Sequence, residues 1–158
     1  MHMHKYEKIW LICGITALIV FLAVIGVSAF YLGNKPPSCL TTINPEKVDQ
    51  TAPFNKPGLH KVEGQEWDYD LVIVASTFTF NPMNVKIPIG SKVRIIATTK
   101  DVVHGFEVAG TDINMMLEPG YVSEYTATFK KQGEFLIVCN EYCGTGHHLM
   151  FSKIEVVK

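Results

Sequence analysis

Arginine is almost missing from this chain of 158 residues, with Arg94 the only one. The 14 Lys and Arg nearly balance 15 Asp and Glu, giving a net charge of −1, and the cations are scattered. A nucleic-acid footprint needs clustered Lys and Arg, so composition argues against that class of partner. Cysteine is scarce as well: Cys13, Cys39, Cys139 and Cys143 are all there are. There is no internal repeat, no low-complexity tract and, beyond residue 32, no long helical pattern. That leaves short strands as the material of any folded domain.

Charge is wholly absent from residues 9–32, a run of 24 with Trp10 near one end and Tyr31 near the other. As a helix it would extend roughly 36 Å, more than a hydrocarbon core requires. The run predicts a membrane-spanning helix with aromatic residues at both interfaces. A cleaved signal peptide is the rival, since Val27-Ser28-Ala29 resembles a cleavage site, but the apolar run far exceeds the usual h-region. Cys13 lies inside the run rather than at its outer edge, which argues against a lipid anchor there. Lys5 and Lys8 precede it and Lys35 follows, which favours a cytoplasmic N-terminus with the remainder outside. Ala29 and Gly33, four apart, suit either a helix–helix contact or lipid.

Three segments are expected: tail and membrane helix over 1–33, connector over 34–64, folded domain over 65–158. The connector holds Pro36, Pro37, Pro45, Pro53 and Pro57, five of the chain's eight prolines, and shows little apolar periodicity. Cys39 within it reads as a lone thiol, and His2, His4 and His60 as solvated residues. Beyond it, β-rich runs over 70–80, 85–87, 92–98, 105–108, 122–129, 134–139 and 151–157 are separated by Asn81-Pro82, Pro88 with Gly90, Pro119-Gly120 and Gln132-Gly133. Tyr121, Ser123, Tyr125, Ala127 and Phe129 fall on one face of a strand, with Val122, Glu124, Thr126, Thr128 and Lys130 on the other. The pattern predicts an all-β Greek-key sandwich with one core and an N-terminal transmembrane helix.

The chemistry concentrates in one loop, Cys139-Asn140-Glu141-Tyr142-Cys143-Gly144-Thr145-Gly146-His147-His148-Leu149-Met150. Two thiols, an imidazole and a thioether are the soft and borderline ligands that suit copper. A disulfide between the cysteines or a tetrahedral zinc site are alternatives, but a thioether does not suit zinc, and Met150 tips the balance. The segment Asp101-Val102-Val103-His104-Gly105-Phe106 ends an apolar strand and places His104 on a loop 35 residues before Cys139, where it offers a second imidazole. A blue-copper site uses only one thiolate. Two thiolates, two histidines, Met150 and a backbone carbonyl close instead on two copper ions, each roughly four-coordinate.

The C-x3-C-x3-H-x2-M loop with its upstream D-V-x-H-x-F segment resembles the CuA domain of cytochrome c oxidase subunit II. The likeness extends over Pro119-Gly120, the strand that follows and the run from Gly133 to Cys139. It implies a cupredoxin-like fold in which Cys139 and Cys143 bridge two coppers and His104 and His147 each ligate one. Met150 would complete one copper and the Glu141 carbonyl the other. The resemblance further implies electrons arriving from cytochrome c and leaving to haem in subunit I, which holds further copper and reduces oxygen to water with proton pumping. A small additional subunit, membrane lipid and an inner-membrane location with the copper domain on the periplasmic side belong to the same expectation.

One membrane helix rather than two resembles the ba-type, B-family oxidases. The acidic Glu141 leaves magnesium at the subunit I interface open. Phe78 and Phe80, just before Asn81-Pro82, are expected on one face of a strand, either filling the core or, for Phe78, serving where electrons enter. His148 reads as an exposed neighbour of His147. A thiol oxidoreductase or copper chaperone would show a βαβ pattern and Pro after its second Cys, where Gly144 stands here. Nitrous-oxide reductase would need a much longer chain, and a quinol-oxidase subunit II would lack the ligand loop.

Overall fold

The computed structural model describes residues 3–31 and 37–158. The expectations that involve His2, Leu32, Gly33, Lys35 and Pro36 lie outside the described residues. The chain forms two compact units, Met1–Pro36 and Pro37–Lys158.

The first unit is the helix α1, Lys5–Gly26, continued by a π-helical turn over Val27–Tyr31. His4 is its N-cap: its Nδ1 accepts from the Tyr6 N–H at 3.4 Å, while the Glu7 carboxylate accepts from the His4 N–H at 3.3 Å. This is a capping box, and it starts the helix one turn before the uncharged run. The Thr16 hydroxyl donates to the Ile12 carbonyl at 2.8 Å, which satisfies it inside an otherwise apolar helix. The most apolar 18 residues within Lys5–Tyr31 have a mean hydropathy of 2.7, and the helix is long and apolar enough to cross a membrane.

The second unit contains β1 (Ser38–Thr42), β2 (Gly58–Lys61), β3 (Tyr69–Ser76), β4 (Thr79–Asn81), β5 (Asn84–Pro88), β6 (Lys92–Thr99), β7 (His104–Val108), β8 (Asn114–Leu117), β9 (Tyr121–Thr128), β10 (Gly133–Val138) and β11 (Phe151–Val157). One sheet runs β1-β9-β6-β3-β2, with β4 paired to β3; the other runs β5-β11-β10-β7-β8. The pairs β3–β6 and β5–β11 are parallel and the rest antiparallel. This is the cupredoxin-like sandwich expected from the sequence. Leu71, Phe80, Ile95, Phe106, Ile137 and Ile154 are buried between the sheets, and Cys139, Cys143 and Met150 join the same core at its edge.

The consecutive apolar residues Leu71 to Ala75 reflect burial on both faces of β3. Leu71, Ile73 and Ala75 face the main core, while Val72 and Val74, with Ile96 and Val122, form a second cluster beneath Val48 and Phe54. Those two covering residues come from the proline-rich stretch. Within it, β1 pairs with β9, β2 pairs with β3, and Pro45–Gln50 forms a 3-10 helix. Isolated apolar residues give no periodicity, yet each finds a seat whose burial is worth about 1.5–3 kcal/mol. The run over 70–80 is broken at Thr77 and Phe78, the tip of the hairpin joining β3 to β4.

Candidate metal centre

His104 stands not on the expected loop but at the first position of β7, where pairing with Leu117 of β8 holds it, and its ring is fully buried. β10 ends one residue before Cys139, and the loop returns to β11 just after Met150. The Cys139 N–H donates to the Met150 carbonyl at 3.2 Å, closing the loop at its neck. Inside it, Gly144 takes a left-handed φ of 128°, and a 3-10 turn over His147–Leu149 brings Met150 back under the cysteines. The His147 N–H donates to the Gly144 carbonyl at 3.1 Å and the Leu149 N–H to that of Gly146 at 2.9 Å.

Five expected donors and one carbonyl converge. Cys139 Sγ lies 3.7 Å from Cys143 Sγ, 3.9 Å from His104 Nδ1 and 3.1 Å from the Glu141 carbonyl oxygen. Cys143 Sγ lies 3.6 Å from His147 Nδ1 and 3.7 Å from Met150 Sδ. The ligand atoms of His104, Cys139 and Cys143 all fall within 4.8 Å of one another. A sulfur–sulfur distance of 3.7 Å is no disulfide, which would be about 2.05 Å, yet metal–thiolate bonds of about 2.3 Å can span it. The donor set therefore fits a thiolate-bridged metal centre.

Electrostatics points the same way. Burial pushes the Cys143 thiol up to about 11, and the adjacent Cys139 adds to the rise. Crowded thiols resist joint ionisation, and a bound cation is what removes that resistance. His104 Nε2 donates to Asp101 Oδ1 at 2.9 Å, which leaves Nδ1 toward the sulfurs. Burial alone would raise Asp101, but hydrogen bonds from the Thr77 hydroxyl, His104, and the Val102 and Thr77 N–H groups hold it well below the usual carboxylate range.

Phe78 and Phe80 do not share a face. Phe80 is in the core, edge-on to Phe106 at 5.6 Å. Phe78 sits at the hairpin tip with a left-handed φ of 66° and 36 % of its surface exposed, its ring over Gly144 and Gly146. That conformation is costly for an aromatic residue, on the order of 1–3 kcal/mol. Tyr142 is exposed and meets the His147 ring at 5.9 Å, and His148 is exposed as expected. Cys39 stands 3.4 Å from the Ser123 hydroxyl, and Cys13 is an exposed free thiol on α1.

Asp101 had no role assigned from its motif, and its three-residue spacing to His104 is the one sequence signal of the contact. Thr77 left none, because its contact with Asp101 joins separate elements.

A family model described as cytochrome c oxidase subunit II, periplasmic domain, matches residues 74–157. Cytochrome c oxidase subunit 2 of Thermus thermophilus is 37% identical over 153 residues, covering 96% of this chain and 91% of its own. A chain in the cryo-EM structure of a heme-copper terminal oxidase dimer is 35% identical, with a TM-score of 0.82 over 97% of this chain and 100% of that one. The periplasmic domain of subunit II of cytochrome oxidase from Bradyrhizobium japonicum, at 19% identity, shares the fold, with a TM-score of 0.54 over 60% of this chain and 87% of that one.

Proposed function

The chain belongs to the cytochrome c oxidase subunit II family, and we propose that it serves there as the electron-receiving module, built around a dinuclear copper centre of the CuA type. Subunit II is a component of a haem-copper oxidase, an oxidoreductase complex. One observation carries the reading: Cys139 and Cys143 present unbonded sulfurs 3.7 Å apart, with His104 Nδ1 beside one and His147 Nδ1 and Met150 Sδ beside the other. A mononuclear blue-copper site has no use for the second thiolate.

Cys139 and Cys143 would bridge the ions, His104 and His147 would each ligate one, and Met150 and the Glu141 carbonyl would complete the set. A copper pair held by these residues would supply one-electron redox chemistry with little rearrangement of its ligands. The protein's part is to keep the ligands still. Asp101 holds the Nε2–H of His104, so the Nδ1 lone pair faces the sulfurs. Cys139, Cys143 and Met150 are at most 7% exposed, which keeps water from the thiolates. Phe78, partly exposed and against the ligand loop, is where electrons would enter.

In this reading cytochrome c is the donor, and haem in subunit I is the acceptor, where oxygen is reduced to water with proton pumping. This chain does no oxygen chemistry itself. Its membrane helix would place the N-terminus in the cytoplasm, beside Lys5 and Lys8, and the copper domain on the periplasmic side of the inner membrane.

Rapid mixing of the copper-loaded chain with reduced cytochrome c tests the role. The copper absorption should bleach as the cytochrome oxidises, and Cys143→Ser should abolish the response. A loaded chain that dithionite reduces but cytochrome c does not would contradict it.

A further inference from the structure

The hairpin tip between β3 and β4 carries none of the expected ligands, yet its adjacent residues grip two different ligand-bearing segments. Thr77 donates its backbone N–H to Asp101 Oδ2 at 2.5 Å, and its hydroxyl donates to the same oxygen. The other carboxylate oxygen accepts from His104 Nε2 at 2.9 Å, the Val102 N–H at 2.8 Å and the Thr99 hydroxyl at 3.1 Å. With Oδ2 occupied by Thr77, the carboxylate is fixed in the rotation that aims Oδ1 at His104. Phe78 acts on the other side. A Cβ added at Gly146 would fall 2.7 Å from Phe78 Cγ, and one at Gly144 would fall 3.3 Å from Cε1, so the ring lies directly on the Cys143–His147 backbone. The left-handed φ of 66° at Phe78 lets the chain turn between these contacts.

We propose that Thr77 and Phe78 form a clamp that sets the position of His104 relative to the Cys143–His147 segment before any metal binds. Both are positioning residues. Thr77 acts on His104 through Asp101, and Phe78 acts on His147 through the glycine backbone of its loop. A site whose ligands are already held binds metal without spending ordering entropy, and outer contacts of this kind typically shift metal affinity by about 10–100-fold. The inference rests on reading His104, Cys143 and His147 as copper ligands, but the clamp itself is a property of the metal-free chain.

The test uses the full chain in detergent with Thr77→Val, which keeps the branched shape and removes the hydroxyl, and Thr77→Ser, which keeps the hydroxyl. In the metal-free chain, Thr77→Val should speed exchange of the His104 Nε2–H, seen by NMR. In the copper-loaded chain it should speed copper release to a chelator about tenfold. Thr77→Ser should restore both. Wild-type exchange and release in Thr77→Val, or a Thr77→Ser variant that behaves like Thr77→Val, would overturn the Thr77 half of the clamp. Phe78→Ala, at an exposed turn, tests the other half: the His147 and Leu149 amides should exchange faster while the His104 ring proton stays protected. Unchanged amide exchange there would overturn it. Failure of the wild-type chain to take up a copper pair would instead count against the copper reading, and the metal-free exchange would still judge the clamp.

Discussion

Gly105 and Asn140, each next in sequence to an expected ligand, meet backbone to backbone: a Cβ on Gly105 would lie 2.7 Å from the Asn140 nitrogen and 2.8 Å from that of Glu141. His104 and Cys139 owe their proximity to the bare glycine between their strands. Asn140 seals the contact from outside, its Nδ2 donating to Glu107 Oε2 at 3.1 Å and to Asn114 Oδ1 at 3.2 Å.

Gly105→Ala should therefore act as an overpacking change that only backbone movement relieves, costing about 1–3 kcal/mol. Thermal unfolding of the metal-free chain should shift down, and copper uptake should fall because the Cys139 loop is pushed away from His104. An unchanged melting temperature with full copper uptake would mean that the loop yields freely.

Replacing either thiol of the proposed bridge should prevent a copper pair from binding, whereas removing the thioether should not. Metal analysis of Cys139→Ser and Cys143→Ser should find fewer than two coppers per chain. Met150→Leu, a volume-conserving exchange at a buried position, should keep both ions and shift the midpoint potential.

Burial, with the neighbouring Cys139, pushes the Cys143 thiol up from its ordinary 9.0 to about 11, which gives the metal-free chain a pH dependence. The folded state holds this proton more tightly than the unfolded state, so its contribution to stability is fully present below pH 9.0 and lost as pH climbs toward about 11. Melting curves of wild type and Cys143→Ser should converge or cross over that window. A constant difference from neutral pH to pH 11 would contradict the assignment.

Phe78→Leu keeps an apolar side chain over Gly146 but removes the ring. The rate of electron uptake from reduced cytochrome c should fall while the optical spectrum of the copper centre is retained. An unchanged rate would remove Phe78 from the path of the electron.

The ligand loop was legible in sequence because its donors lie within twelve consecutive residues, and His104 was legible because its segment follows an apolar strand, although it begins β7 rather than standing on a loop. Seven of the sandwich strands were readable by alternation and turn residues. The short edge strand β8 has too few residues for a period, and β1, β2 and the cover of Val48 and Phe54 hid in a proline-rich stretch whose apolar residues matter singly. The hairpin break at Thr77 and Phe78 lacks the Gly, Pro or Asn that marks a turn, so one strand was read where there are two. Gly105 against Asn140 and Thr77 against Asp101 are contacts between separate elements, which local patterning cannot encode.

A paired measurement of copper content and electron paramagnetic resonance on the oxidised chain tests the dinuclear centre most directly. Two copper ions per chain are expected, with a hyperfine pattern from one unpaired electron shared equally by two copper nuclei. One copper per chain with the electron confined to a single nucleus, or a disulfide joining Cys139 to Cys143 in the active protein, would contradict it.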